Sequence, residues 1–283
     1  MPKAIPFEEA NVNLCGLISI IGKTKSGKTT LLRSLINQLM KKGLFRTYVF
    51  SSTAEIYRYT DYDFCLPQNV RKIDMKKIRE IKARQEVLAV KATKDKRVEP
   101  KWIAIVLDDF IGDEQCNLLT KIASVISSLA VSGRHYKICT IILSQHLNKL
   151  PPVVRLQSTY IFVTKCNMST IMDGIYPLQT DITDKKTLWR MYTEHTKTRY
   201  ASVMFQADDP YDDNIKFLGP AKKVSFIDDV ESVEILNDLK EDSGDSNNSS
   251  DDKTSFEDDG GRTGEDSILS LTDSIGSGDD GIL

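Results

Sequence analysis

The apolar residues of this chain fall into short dense runs separated by stretches with helical spacing. Leu14 to Ile21 is an apolar run closed by a turn, the pattern of a strand buried on both faces. Leu31, Leu32, Leu35, Ile36 and Leu39 then recur at helical intervals across residues 30–40, and Gly43 supplies a stop. Phe45 to Ser52, Trp102 to Leu107, Lys137 to Leu143 and Tyr160 to Thr164 read as four further strands. A long helix starts at Asp74, with Met75, Ile78, Ile81, Gln85 and Leu88 on one stripe, and fades before Lys94. Asn117 to Val131 is a second helix closed by Gly133, and Pro151-Pro152-Val153-Val154-Arg155 opens a short helix or turn. Helices at 168–176 and 184–195 and an antiparallel pair at 199–206 and 215–218 complete the pattern. Residues 1–13 read as a polar lead-in, and 53–73 as an aromatic loop.

Strands alternating with helices predict an α/β fold with a mostly parallel sheet flanked by helices. In such folds a ligand sits outside the carboxyl ends of the strands. The pattern stops near Asp228. Residues 241–283 are rich in Asp, Glu, Ser and Gly, with Phe256 their only aromatic, and cannot bury enough apolar surface to offset chain entropy. The expected organisation is therefore one domain over 1–228 and an acidic, disordered tail over 229–283.

Charge sharpens that division. The formal net charge of −2 hides a tail of −13 from Glu231 onward and a body of +11 before it. A basic body points to a polyanionic partner, and the tail is either an electrostatic competitor for the same surface or a solubilising or partner-binding appendage. Between Arg71 and Lys101 twelve basic residues face five acidic ones. That stretch is either a solvated helix face or a surface for nucleic acid or another subunit. Apolar runs of about eight residues are too short to span a bilayer, and the start of the chain has no secretory pattern. Five cysteines and the histidines at 135, 146 and 195 fall at no metal-ligand spacing, as expected of reduced thiols in a cytosolic protein.

The candidate chemistry lies at the predicted strand ends. Gly22-Lys23-Thr24-Lys25-Ser26-Gly27-Lys28-Thr29, with Thr30 beside it, is a G-x-x-x-x-G-K-[ST] loop between strand and helix. Its glycines let successive backbone N–H groups turn inward onto phosphate oxygens, at the positive end of the helix that follows. In this pattern Lys28 reaches the β- and γ-phosphates of ATP and the Thr29 hydroxyl ligates Mg²⁺.

Asp108 ends the third strand, where a carboxylate holds Mg²⁺; the plainer alternative is a cap for the next segment. Asp109 beside it is a candidate base for the attacking water. Gln145 ends the fourth strand and can contact the γ-phosphate or orient water, or simply cap its loop. Arg134 is placed to act on a neighbouring subunit's γ-phosphate, with a surface ion pair as alternative and Arg155 as the second candidate.

These pieces resemble the FtsK–HerA group of P-loop ATPases, in particular the genome-packaging ATPases of poxviruses and other large double-stranded DNA viruses. The resemblance is carried by I-I-G-K-T-K-S-G-K-T-T-L-L (20–32), V-F-S-S-T-A (49–54) and I-V-L-D-D-F (105–110). G-R-H-Y-K-I (133–138) and I-I-L-S-Q-H leading to L-P-P-V-V-R (141–155) complete it. It implies a homo-oligomeric ring that couples ATP hydrolysis to pumping double-stranded DNA into a capsid, with Gln145 as polar sensor and Arg134 as trans-acting arginine. It further implies a capsid or membrane-associated virion protein as partner, and residence in the cytoplasmic viral factory and the virion. Asp109 departs from the glutamate common in the wider group. Two rival readings are a nucleotide or nucleoside kinase, which shares the Gly-x-x-x-x-Gly-Lys-Thr-Thr start, and an interaction protein switched by ATP.

Overall fold

The computed structural model describes residues 3–57, 60–109, 116–178, 184–206, 215–222, 224 and 226. The expected acidic tail lies outside them. Among the described residues eight strands form one sheet: β1 (Leu17–Ile21), β2 (Leu44–Ser51), β3 (Val70–Arg71), β4 (Trp102–Asp108), β5 (Ile138–Ser144), β6 (Tyr160–Val163), β7 (Ser202–Gln206) and β8 (Ile215–Leu218). Their order is β3-β2-β4-β5-β1-β6-β7-β8. The first six of these pair in parallel, and β7 and β8 join antiparallel at one edge.

The pattern in β1 shows how the sheet is sandwiched. Successive side chains of a strand point to opposite faces. Leu17 and Ile21 enter one core layer, with residues of the helices α3 (Met75–Lys94), α4 (Cys116–Ser132), α5 (Pro152–Gln157) and α6 (Lys185–His195). Ile18 and Ile20 enter the other, against Leu31, Leu32, Leu35, Ile36 and Leu39 of α1 (Lys28–Lys41). Every residue of β1, β5 and β6 is buried, which is why these strands read as apolar runs instead of alternating. Ser19 is tolerated in this setting because its hydroxyl bonds Ser158 Oγ at 2.8 Å, and Ser158 donates on to Val154 O at 2.9 Å.

Several expectations need correction. Residues 1–13 are not a polar lead-in: Phe7, Ala10 and Val12 are buried, and Ile5 bridges Leu218 of the edge strand. Phe7 reaches Phe162 with ring centroids 6.1 Å apart, a tertiary anchor in a segment too short to show a period. Within 53–73, α2 (Ala54–Tyr57) and β3 replace the expected loop, held by buried Tyr62, Phe64, Cys65 and Val70. The helix expected at 168–176 is present, and Thr170–Ile175 within it is π-helical. The first strand also starts at Leu17, not Leu14.

Candidate active site

Register brings the expected chemistry to one edge of the sheet. Ser51 is level with Asp108, Asp108 with Leu143, and Ile21 with both Ser144 and Val163. The loop after β1 emerges between the ends of β5 and β6 and is tied to both. Gly22 N donates to Ser144 O (3.1 Å) and Lys23 N to Lys165 O (2.9 Å). Gly27 precedes α1 with φ of 99°, a region that suits glycine, and the following helix turn presents its free N–H groups to the loop. Lys25, in the middle of the loop, also has positive φ (61°).

The loop leaves no space for a side chain at its first glycine. Ser26 Oγ and Thr164 Oγ1 share a 2.7 Å hydrogen bond, and Thr164 Oγ1 donates to Ile21 O at 3.2 Å. A Cβ on Gly22 would lie 1.8 Å from Thr164 Oγ1 and 2.6 Å from Ser26 Oγ. Gly22→Ala is expected to cost about 1–3 kcal/mol by overpacking and to weaken ATP binding as the loop shifts. Urea unfolding checks the first part; an unchanged midpoint would show that the loop yields freely.

Lys28 Nζ donates to Gly22 O (2.9 Å) and Lys23 O (3.0 Å), which curls its side chain over the cradle. Burial lowers its pKa, against the opposing pull of the Asp109 and Asp108 carboxylates. Thr24 Oγ1 donates to Gln145 Oε1 (3.3 Å), and Gln145 Nε2 donates to Asp109 Oδ1 (3.4 Å). The glycine-rich loop, Gln145 and the second aspartate thus form one chain of side chains across β1, β5 and β4. These bonds are long, as is common before a substrate tightens a site. Asp109 adopts φ of 52°, a left-handed conformation that Asp tolerates better than most residues and that turns the chain sharply after β4.

Asp108 receives a partner that the sequence did not single out. Tyr62 OH donates to Asp108 Oδ2 at 2.7 Å. Burial pushes the Asp108 carboxyl up to about 6; the Tyr62 bond opposes this, the Asp109 charge adds to it and Lys28 offsets part of it. The Tyr62 hydroxyl is itself pushed upward by burial and by Asp108, so it stays a donor. No period marks Tyr62, and only the aromatic density of its neighbourhood hinted at anchoring.

A buried carboxylate within the field of Lys28 at a phosphate loop is a hard-oxygen donor that fits Mg²⁺. Asp108 and Thr29 are the residues that would hold it. Without a cation, the ionised Asp108 costs the fold stability. A raised carboxyl pKa leaves stability complete below the unfolded value near 4 and removes it as pH rises through about 6. In chelator, Asp108→Asn is therefore expected to be more stable than the wild type at pH 8, by up to about 3 kcal/mol, with the gap closing toward pH 4. Urea unfolding across that range checks it, and a gap independent of pH would contradict it.

Arg134 lies elsewhere. It sits in a 3-10 turn (Gly133–Tyr136) before β5, with its Cβ packed over Gly16, at the amino end of β1. The strand from Gly16 to Gly22 puts it about 20 Å from its own phosphate loop, at 3.3 Å per residue. Arg134 is exposed beside a cavity of about 100 Å³, lined also by Gly16, Ala130 and residues 156–159. Among the described residues no carboxylate pairs with it. Arg155, on α5, belongs to the same end of the sheet, and its Nε has no hydrogen-bond partner among the described residues.

A second residue missed by sequence reasoning is Tyr200. Its ring packs on Gly27: a Cβ there would lie 2.6 Å from Tyr200 Cδ1. The sequence placed it in a strand, but β7 begins only at Ser202. The basic helix α3 spends part of its charge internally, through Lys77–Glu80 (3.2 Å) and Lys82–Glu86 (3.6 Å). Those pairs favour a solvated face over a continuous basic stripe.

Known proteins agree with this architecture. The chain is 26% identical over 200 residues to the uncharacterized protein 075L of Invertebrate iridescent virus 6, covering 69% of this chain and 72% of that one. Among solved structures it resembles the pCW3 conjugation coupling protein TcpA with ATPγS (TM-score 0.55, 16% identity, 79% of this chain and 64% of that one). It also resembles the genome packaging NTPase B204 of Sulfolobus turreted icosahedral virus 2 with sulfate (TM-score 0.50, 16% identity, 75% and 100%). At such identity the structural likeness shows the fold, that of P-loop NTPases. The sequence profile of the poxvirus A32 protein matches residues 12–204, about two thirds of the chain, and the chain belongs to that family.

Proposed function

We propose that the chain is an ATP-hydrolysing translocase of double-stranded DNA that packages a viral genome into its capsid. The observation that carries this reading is the side-chain link Thr24–Gln145–Asp109, which joins the phosphate loop to a paired-aspartate strand end. A loop that only held nucleotide would need neither the sensor nor the second carboxylate. Membership of a poxvirus family and a fold shared with a packaging NTPase support the viral and DNA-handling parts.

In this reading the loop amides and α1 N-terminus cradle the phosphates, and Lys28 moves from its carbonyl partners to β- and γ-phosphate oxygens. Mg²⁺ between Thr29 and Asp108 would neutralise phosphate charge. Gln145 orients a water, which attacks the γ-phosphorus as its proton passes to Asp109; the bond to the β–γ bridging oxygen breaks and ADP leaves. Tyr62 fixes the Asp108 carboxylate. Arg134, too far from its own loop, completes the site of the next subunit in a ring, with Arg155 as the alternative. The body over 1–228 is the motor and 229–283 an acidic appendage. A capsid or membrane-associated virion protein docks the ring in the cytoplasmic viral factory. No helix among the described residues is long and apolar enough to cross a membrane.

Displacement of a third strand from a triplex-bearing duplex tests translocation. The expected result is displacement with ATP and none with a non-hydrolysable analogue. Absence of displacement, with phosphate appearing on a nucleoside monophosphate, would select a kinase instead.

A further inference from the structure

We infer that Tyr200 is the platform on which the base of the nucleotide stacks, a specificity element that neither the phosphate loop nor the aspartates supply. The inference deepens the ATPase reading and rests on it. Strand order fixes the direction in which a nucleotide must lie. Strand β1 runs between β5 and β6, with Asp109 and Gln145 on the β4–β5 side. The γ-phosphate must face those two groups, so the nucleoside end of the molecule leaves toward β6 and β7. Tyr200 stands on that flank, two residues before β7, with its ring against Gly27 at the start of α1.

Three features fit a ligand-facing ring better than core packing. Tyr200 is half-buried, unlike the buried aromatic residues Tyr192 and Phe205 nearby in sequence. The Arg199 guanidinium, exposed, lies 4.7 Å from the ring centroid, and such a side chain exchanges readily for a base. The backbone of Tyr200 has φ of 66°, which a bulky residue adopts at a cost. Strain of that kind persists where surrounding structure enforces it, and it clusters at ligand clamps. Here it turns the ring onto the loop. A Tyr offers a large rigid π-face to any base, so the contact gives affinity for a nucleoside over bare polyphosphate with little choice among bases.

Calorimetric titration of the full chain with ATP and with inorganic tripolyphosphate, each with Mg²⁺, separates the base from the phosphates. Tyr200→Gly removes the ring while accepting the left-handed backbone without strain. The expected result is ATP affinity lowered about tenfold, from the loss of one base–aromatic stack, with tripolyphosphate affinity unchanged. Tyr200→Phe should match the wild type with both ligands. Equal losses for ATP and tripolyphosphate would mean that the ring only shapes the loop, and unchanged ATP affinity that it does nothing; either overturns the inference. Loss of ATP affinity in Tyr200→Phe would assign the effect to the hydroxyl and also overturn it. A wild-type chain that binds neither ligand would instead sink the nucleotide reading beneath it.

Discussion

Lys28→Ala is expected to lower ATP turnover by about 10²–10³-fold or more, the scale on which removing one group that stabilises developing charge is felt. The lysine amine is the flexible cation of the cradle, held beside two carboxylates and bonded to Gly22 O and Lys23 O. Its removal leaves the loop amides in place, because Gly22 and Lys23 are anchored through their own N–H groups to Ser144 and Lys165. ATP binding should therefore weaken less than turnover, and the melting temperature should change little. Phosphate release at saturating ATP measures the effect. Turnover within a few-fold of the wild type would remove the loop from the catalytic account altogether.

Arg134→Ala is expected to reduce turnover about 10³-fold or more while sparing ATP binding, as loss of an arginine that acts on the transferred phosphoryl group does. The sharper form of this prediction is complementation. Arg134 lies at the amino end of β1 and the phosphate loop at its carboxyl end, so one subunit cannot bring the two together. In a head-to-tail ring, an Arg134→Ala subunit still offers an intact phosphate loop, and a Lys28→Ala subunit still offers an intact Arg134. Mixing the two inactive proteins in equal amounts gives about a quarter of interfaces with both intact groups under random assembly. Recovery of turnover on mixing is the expected result. If Arg134→Ala is inactive and stays so on mixing, while Arg155→Ala proteins do complement, the trans-acting role passes to Arg155.

The succession of strands along the chain and the loop after β1 were legible because their signals are local. A doubly buried strand has no polar face to blur its pattern, and Gly-x-x-x-x-Gly-Lys-Thr needs only its immediate flanks. That Asp108, Asp109 and Gln145 stand at strand ends was legible, and parallel sheets gather chemistry there. What escaped is tertiary in origin. Tyr62 bonds Asp108 from 46 positions away, and Tyr200 meets Gly27 from a point far along the chain. Phe7 and Ile5 are recruited to the core by Phe162 and Leu218, partners far along the chain. Two residues of β3 are enough to extend the sheet because β2 already offers a ladder, and two residues carry no period. The placement of Arg134 was read as a role and not as a position. Only the register of β1 shows how far it stands from its own cradle.

One measurement bears on the whole account: ATPase rate per subunit as a function of protein concentration, with and without duplex DNA at low salt. A motor whose site is completed by a neighbour's arginine predicts specific activity that rises with concentration as the ring assembles, and rises further when duplex DNA is added. Specific activity that is constant with concentration and indifferent to DNA would contradict both the shared site and the DNA-driven function.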